Sequence, residues 1–274
     1  MNNMGAKSRR ESFALRLLKA LCPPGLLMKV RAAYLTREVV QRKAKRELAM
    51  EALPSLVKPG DSVADLGANI GMYAIELSEL VARSGKVYSV EPITSNFEIL
   101  ADVVRKCRLS NVDLYHAAIG SEAGHQDMVI PNRKGFTGFY SAHFVRDDEE
   151  GTTETVEVFT LDDLWKQNKI KDLDFIKADV AGAELEVIAG ARTLIQALRP
   201  GLLVGVSLGT GDNALNALRS LGYRAFLFSG RLTETHNYLA AHSYHYFFLH
   251  PESKCWSRAL SAGLLDVSLG CPVR

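Results

Sequence analysis

The residues best placed to do chemistry stand in one run, Ser62-Val63-Ala64-Asp65-Leu66-Gly67-Ala68-Asn69-Ile70-Gly71-Met72-Tyr73. It reads as a short apolar strand that enters a glycine turn and then a helix. Gly67 and Gly71 let backbone approach a ligand closely, because a side chain at either place would block the approach or strain the turn. Asp65 closes the strand, at the end where open α/β sheets bind their ligands. A carboxylate there suits a ligand carrying positive charge and would repel a pyrophosphate. The three-glycine pattern G-x-G-x-x-G of dinucleotide sites is not what stands here. Asp-x-Gly-x-Asn-x-Gly suits S-adenosylmethionine, whose methionyl end carries an ammonium beside a sulfonium. Glu91, closing the next strand before Pro92, is spaced to accept hydrogen bonds from both hydroxyls of a ribose.

The elements that must hold these groups follow from periodicity. Residues 11–21 and about 26–53 have helical spacing, broken by Pro23-Pro24-Gly25, and Pro59-Gly60 closes this extension. The chain then alternates. Helix 71–83 leads through Ser84-Gly85 to strand Lys86–Glu91, and helix 95–108 leads to strand Val112–Ala118. Residues 120–155 break the rhythm, as a polar excursion with a short strand at Asp127–Ile130; a loop of this length is usually functional or disordered. Alternation resumes with strand Val156–Phe159 and a helix capped by Thr160. Strand Asp174–Asp179, helix 183–197, strand Leu202–Ser207, helix 212–221 and strand Tyr223–Phe228 follow. The closing strand, Tyr244–Leu249, is expected to pair antiparallel at or near a sheet edge. The expectation is a doubly wound α/β sheet, divided into a basic helical extension over residues 1–54, a main domain over 55–250 and a tail over 251–274.

These motifs together resemble the FkbM family of S-adenosylmethionine-dependent methyltransferases. The resemblance rests on Val63–Gly71, Val90-Glu91-Pro92 with Asn96, His116–Gly120, Thr160–Leu164, Phe175–Val180 and Gly182-Ala183-Glu184, and covers about residues 50–250 in the right order. It implies the class I methyltransferase fold, a mostly parallel seven-stranded sheet whose last strand is antiparallel. It also implies methyl transfer to a hydroxyl of a sugar, polyketide or similar small molecule or glycan. By that likeness Asp65, Gly67, Asn69 and Gly71 line the methionine side, Glu91 holds the ribose, and Ala117, Ala118 and Ile119 take the adenine, with Tyr73, Pro92 and Asn96 also expected to bind the cofactor. Asp179 faces the same crevice and is the first candidate for orienting or deprotonating an acceptor, with His236 as a second catalytic candidate. Phe136, Phe139, Tyr140 and His143 in the excursion are candidates for an acceptor lid, and Asn237 for an acceptor contact. No metal ligand is assigned, although a divalent metal at the acceptor side is left open.

Two departures qualify the resemblance. The family usually reads Asp-Val-Glu-Gly where this chain has Asp179-Val180-Ala181-Gly182, and it usually carries an acid where this chain has Gly205. The alternative is therefore a homologue that keeps the cofactor pocket with weakened turnover. Gly205-Val206-Ser207-Leu208-Gly209 also matches the nucleophile elbow G-x-S-x-G of α/β-hydrolases, with Glu234 and His236 or His245 available for a triad. Against it, Gly209–Asp212 intervenes before the next helix and no HGGG-type loop is present.

Composition bounds the rest. A hydrophobic fraction of 47% over 274 residues supplies a sizeable core. Arg16 and Lys19 interrupt any would-be signal peptide, and no apolar run is long enough to span a membrane. Cys22, Cys107, Cys255 and Cys271 are scattered, which fits a reducing cytoplasm better than a disulfide framework. Residues 1–50 contain twelve Lys or Arg against three Glu; with +2 overall, the remainder carries −7. This front end is expected to be a solvated helical face partly docked on an acidic body, with peripheral membrane contact as the sharper account. Nucleic acid is not expected, for want of interleaved aromatics.

Overall fold

In the computed structural model the described residues are 24–42, 46–131, 143–144, 151–206, 211–236 and 245–265. Helix α1 (Pro24–Val40) and a short helix α2 (Leu53–Leu56) precede β1 (Ser62–Leu66). Then come α3 (Met72–Val81), β2 (Lys86–Val90), α4 (Thr94–Cys107) and β3 (Val112–Tyr115). Strands β4 (Ala118–Ile119), β5 (Gly124–Pro131), β6 (His143–Phe144) and β7 (Gly151–Phe159) form a unit of their own. After α5 (Leu161–Lys166) the alternation continues through β8 (Phe175–Ala178), α6 (Glu184–Gly190), α7 (Arg192–Leu198), β9 (Gly201–Gly205), α8 (Gly211–Arg219) and β10 (Arg224–Phe228). Strands β11 (Leu232–Glu234) and β12 (His245–Leu249) and helix α9 (Lys254–Ser261) complete the order.

The main sheet is doubly wound and mostly parallel, in the order β11-β10-β12-β9-β8-β1-β2-β3. It has eight strands where seven are expected, because Leu232–Glu234 returns antiparallel to β10 and forms the edge. Strand β12 is antiparallel as expected but lies inside the sheet, between β9 and β10. Central strands buried on both faces read as continuous apolar runs, and here each face has its own core. Ala64, Leu66, Ile176, Ala178 and Val204 pack on one side. Val63, Phe175, Leu203, Phe247 and Leu249 pack on the other, with Tyr73 and Leu77 of α3.

The two-residue strand period then dictates what lies at the carboxyl ends. Asp65 shares a face with Val63, and its register partner on β8 is Lys177. Gly205 shares a face with Leu203, and its register partner on β12 is His245. One face of the sheet thus ends in a polar row, with Asp179 just beyond β8.

The excursion is more ordered than its polarity suggests. Strands β5 and β7 pair antiparallel from Gly124↔Val158 to Pro131↔Gly151, so β7 begins well before Val156 and belongs to a second sheet, β4-β7-β5-β6. Met128, Val156 and Val158 pack inward with Ile93 and Ala118, while the intervening polar residues face water. The strand expected over Val112–Ala118 is split for the same reason, its end passing into β4. The helix expected over 183–197 is broken at Ala191 (φ −115°).

The long helix expected to about residue 53 stops at Val40, and a 3-10 turn at Leu48–Glu51 follows. Its body docks through Val39 onto Ile75, Ile99 and Val103. Arg42 pairs with Glu79, and Arg46 with Glu76 at 2.7 Å, so part of the basic front end lies on an acidic face. Helix α9 of the tail buries Cys255, Trp256 and Ala259. Its Arg258 holds Asp61 with both terminal guanidinium nitrogens, at 2.5 and 2.9 Å.

Candidate active site

The turn after β1 is held by close backbone approaches inside the chain. Gly67 (φ 68°) lies where an added Cβ would meet the Asp179 carbonyl oxygen at 2.1 Å, so only glycine lets the β1 and β8 ends converge. An added Cβ on Gly71 (φ 93°) would meet Leu100 and Val103 of α4. Both glycines therefore serve chain packing first, and the ligand surface is set by what that packing leaves open.

It leaves a cavity of about 320 Å³, at the small end of the range for ligand sites. It is bounded by Gly67, Asn69 and Tyr73, by Glu91, Pro92, Ile93 and Asn96, by Ala117–Ile119 and Met128, and by Lys177, Asp179, Ala181 and Glu47. Asp65 and Gly71 of the expected set do not reach its wall.

Asn69 (φ 52°) sits in the left-handed region, which amide side chains tolerate. Its N–H donates to Glu91 Oε2 at 2.9 Å, and its side-chain Oδ1 is buried without a hydrogen-bond partner. Glu91 Oε1 accepts from the Ile93 N–H and from Asn96 Nδ2, each at 3.1 Å. Burial pushes the Glu91 carboxyl up, against these three hydrogen bonds, which favour the ionised form. With three of its roughly four lone-pair sites engaged, the carboxylate retains one for a ligand hydroxyl, on Oε2. Beyond Glu91 the wall turns apolar, with Ile93, Ala118, Ile119 and Met128.

The opposite end is charged. Asp65 is fully buried and pairs with Lys177 Nζ at 3.2 Å; the lysine is 3% exposed. Lys177 also donates to the carbonyls of Gly67 at 2.7 Å and Leu66 at 3.3 Å. Burial alone would push the Lys177 ammonium down; the charges of Asp65 and Asp179 outweigh it and hold it up. Burial pushes the Asp65 carboxyl up, against the pull of Lys177. Tyr73 OH donates to Glu47 Oε2 at 2.7 Å, and His245 Nε2 lies 3.5 Å from Glu47 Oε2 and 3.7 Å from Asp179 Oδ2. For Asp179, burial works upward, but the neighbouring His245 and the charge of Lys177 outweigh it and lower the carboxyl to about 2.

The two departures have a local geometry. Ala181 (φ 50°) and Gly182 (φ 101°) make a left-handed turn whose Gly182 N–H donates to Glu184 Oε1 at 2.8 Å. An added Cβ on Gly205 would fall 2.7 Å from Asp179 Oδ1, so the Asp179 carboxylate occupies the room that a side chain at 205 would need.

Of the expected acceptor-side groups, His236 is exposed and away from the cavity wall, beside β11. Phe136, Phe139, Tyr140 and Asn237 lie outside the described residues, as does Ser207 of the hydrolase pattern. His143 pairs with Val129 in β6. Glu234, the acid of that pattern, is held by Arg224 Nε at 2.6 Å. Among the described residues no group of three or more His, Cys, Asp or Glu could hold a metal ion, and no helix is long and apolar enough to cross a membrane. Glu47 and Lys177 are the site residues that sequence reasoning did not place, and His245 was offered only as a member of the hydrolase triad. Lys177 carries a signal, a lysine inside an otherwise apolar strand; Glu47 carries none.

The family profile of the Methyltransferase FkbM domain matches residues 65–225. No curated protein matches the sequence. Among solved structures, methyltransferase FkbM from Methylobacillus flagellatus is 17% identical over 81% of this chain, with a TM-score of 0.49. The chain spans 59% of that protein's length. A SAM-dependent O-methyltransferase from Thermotoga maritima is 18% identical, with 79% and 71% of the two chains covered and a TM-score of 0.44. Fibrillarin from Aeropyrum pernix, solved with natively bound S-adenosyl-L-methionine, is 17% identical, with 74% and 73% covered and a TM-score of 0.44.

Proposed function

The chain belongs to the FkbM methyltransferase family, and on that premise we propose that it transfers a methyl group from S-adenosylmethionine to a hydroxyl of a small molecule or glycan. One observation carries the reading: a single cavity runs from charged to apolar walls, and the buried Asn69 Oδ1 on its wall has no partner of its own. A ligand with one cationic and one nucleoside end fits that order. Ile93, Ala118, Ile119 and Met128 suit a purine, Glu91 Oε2 has one site for a ribose hydroxyl, and Asn69 Oδ1 accepts from a ligand donor. Carboxylates at the far end suit positive charge.

The bound cofactor would supply an electrophilic methyl group on sulfur. The protein's part is then alignment, worth up to about 7–11 kcal/mol in favourable cases, and handling of the acceptor proton. A carboxyl held near 2 stays ionised and is a weak base, so Asp179 accepts a hydrogen bond from the acceptor hydroxyl and orients it without taking its proton. His245, beside Asp179, then takes the proton, the usual task of an imidazole. Scattered cysteines suit a reducing cytoplasm, and any peripheral membrane contact falls to the basic residues ahead of α1.

Isothermal titration of the full chain with S-adenosylmethionine tests the reading. It predicts saturable one-to-one binding, and absence of binding contradicts it. A second reading, a cofactor-binding homologue with weak turnover, draws on Ala181 and on the crowding of Gly205 by Asp179. Formation of S-adenosylhomocysteine with a panel of sugars and polyols separates the two.

A further inference from the structure

Asp65 is the carboxylate the sequence offers to a cationic ligand, yet it lies beneath the cavity floor. It is fully buried, off the cavity wall, and ion-paired with Lys177 at 3.2 Å in the adjacent strand register. Lys177 moreover puts a positive charge under the Leu66 and Gly67 carbonyls, so the floor below the glycine turn is not anionic. Glu91 has three protein donors, and Asp179 is the group that the reading above gives to the acceptor hydroxyl. If a cation is to be held at the charged end, another carboxylate must face it.

Glu47 does. It precedes the 3-10 turn Leu48–Glu51 in the extended conformation of an N-cap, yet its side chain makes no capping hydrogen bond. The carboxylate turns instead onto the cavity wall, where it is 41% exposed. Ala49, Met50 and Leu53 are buried in the core beneath it and fix the segment. Tyr73 OH anchors Oε2 at 2.7 Å, and His245 Nε2 lies 3.5 Å from the same oxygen. Burial and the Glu47 charge push the Tyr73 phenol well above its ordinary range, so it stays a donor. Among the described residues no donor reaches Oε1.

We propose that Glu47, supplied by the extension ahead of the matched family span, binds the cationic methionyl end of the cofactor. The proposal rests on the cofactor reading above. It makes the front end part of the binding site, so that the domain without it holds an incomplete cavity.

The test is isothermal titration of the full-length wild type and of Glu47→Gln with three probes. S-adenosylmethionine carries ammonium and sulfonium, S-adenosylhomocysteine only the ammonium, and 5′-methylthioadenosine neither. Loss of one charged contact is expected to weaken S-adenosylmethionine about 10- to 100-fold and to leave 5′-methylthioadenosine within about twofold. Equal weakening of S-adenosylhomocysteine assigns Glu47 to the ammonium, and selective loss of S-adenosylmethionine assigns it to the sulfonium. Unchanged affinity for S-adenosylmethionine overturns the proposal. So does an equal loss for all three probes, which would make Glu47 a brace for the pocket. If the wild type binds 5′-methylthioadenosine but not S-adenosylmethionine, or binds neither, the cofactor reading itself fails.

Discussion

The two ends of the cavity are built in opposite ways. The nucleoside end comes from one continuous stretch, residues 69–128, in which Glu91 gathers the Asn69 amide of the β1 turn with the Ile93 amide and the Asn96 side chain that follow β2. The charged end draws Glu47, Asp65, Tyr73, Lys177, Asp179 and His245 from separate elements. A locally built site survives variation elsewhere in the chain. A site assembled from distant segments is tied to global stability and is free to differ between relatives. The departures at Ala181 and Gly205 both fall at the assembled end.

If that contrast holds, the largest effect follows from breaking the buried ion pair. Lys177→Met leaves Asp65 buried without its partner and should cost about 3–5 kcal/mol of stability. Urea denaturation measures this, and adding Asp65→Asn should recover most of the loss. Equal stabilities for wild type and single variant would show that the pair does not organise the charged end.

Next, Glu91→Gln should weaken S-adenosylmethionine and 5′-methylthioadenosine alike, by about 10-fold, as expected for loss of a charge-assisted hydrogen bond to the nucleoside. A loss confined to S-adenosylmethionine would move Glu91 to the other end.

A smaller effect concerns pH. Asp179 is held at about 2 in the folded protein, below the ordinary value of about 3.9. Its stabilising contribution is therefore present above about pH 4 and lost as pH falls through about 2. The stability difference between wild type and Asp179→Asn, from denaturation at a series of pH values, should shrink over that window. A difference that stays flat would mean that His245 and Lys177 do not hold the carboxylate.

The smallest effect is expected for Gly205→Ala. The new Cβ displaces the tip of a short, half-exposed side chain, which swings aside at a cost within about 1 kcal/mol. The displaced Asp179 then leaves His245, and the acid transition of the variant should move upward. A loss of several kcal/mol would show that the carboxylate cannot yield.

This contrast also explains what could be read from residues alone. The β1 turn, Glu91 and the strand–helix alternation were legible because they depend on contiguous patterns, namely strand period, turn glycines and a strand-terminal acid. Asp65 was legible as a site residue type but not in its pairing, since nothing local says that Lys177 stands beside it in register. Glu47 was hidden because its polar neighbours in a basic extension give no period, and its partner Tyr73 lies in another element. Strand β11 is three residues long, too short for alternation to show. The β5–β7 ribbon was recognised only in part, around Met128 and over Val156–Phe159, because the rest of its length is mostly polar.

The most direct measurement is a crystal structure of the full chain with S-adenosylhomocysteine. The account predicts the adenine against Ala118 and Ile119, the ribose at Glu91 and the ammonium end toward Glu47. A ligand bound outside this cavity, or lying in it with the adenine at Glu47, would contradict it.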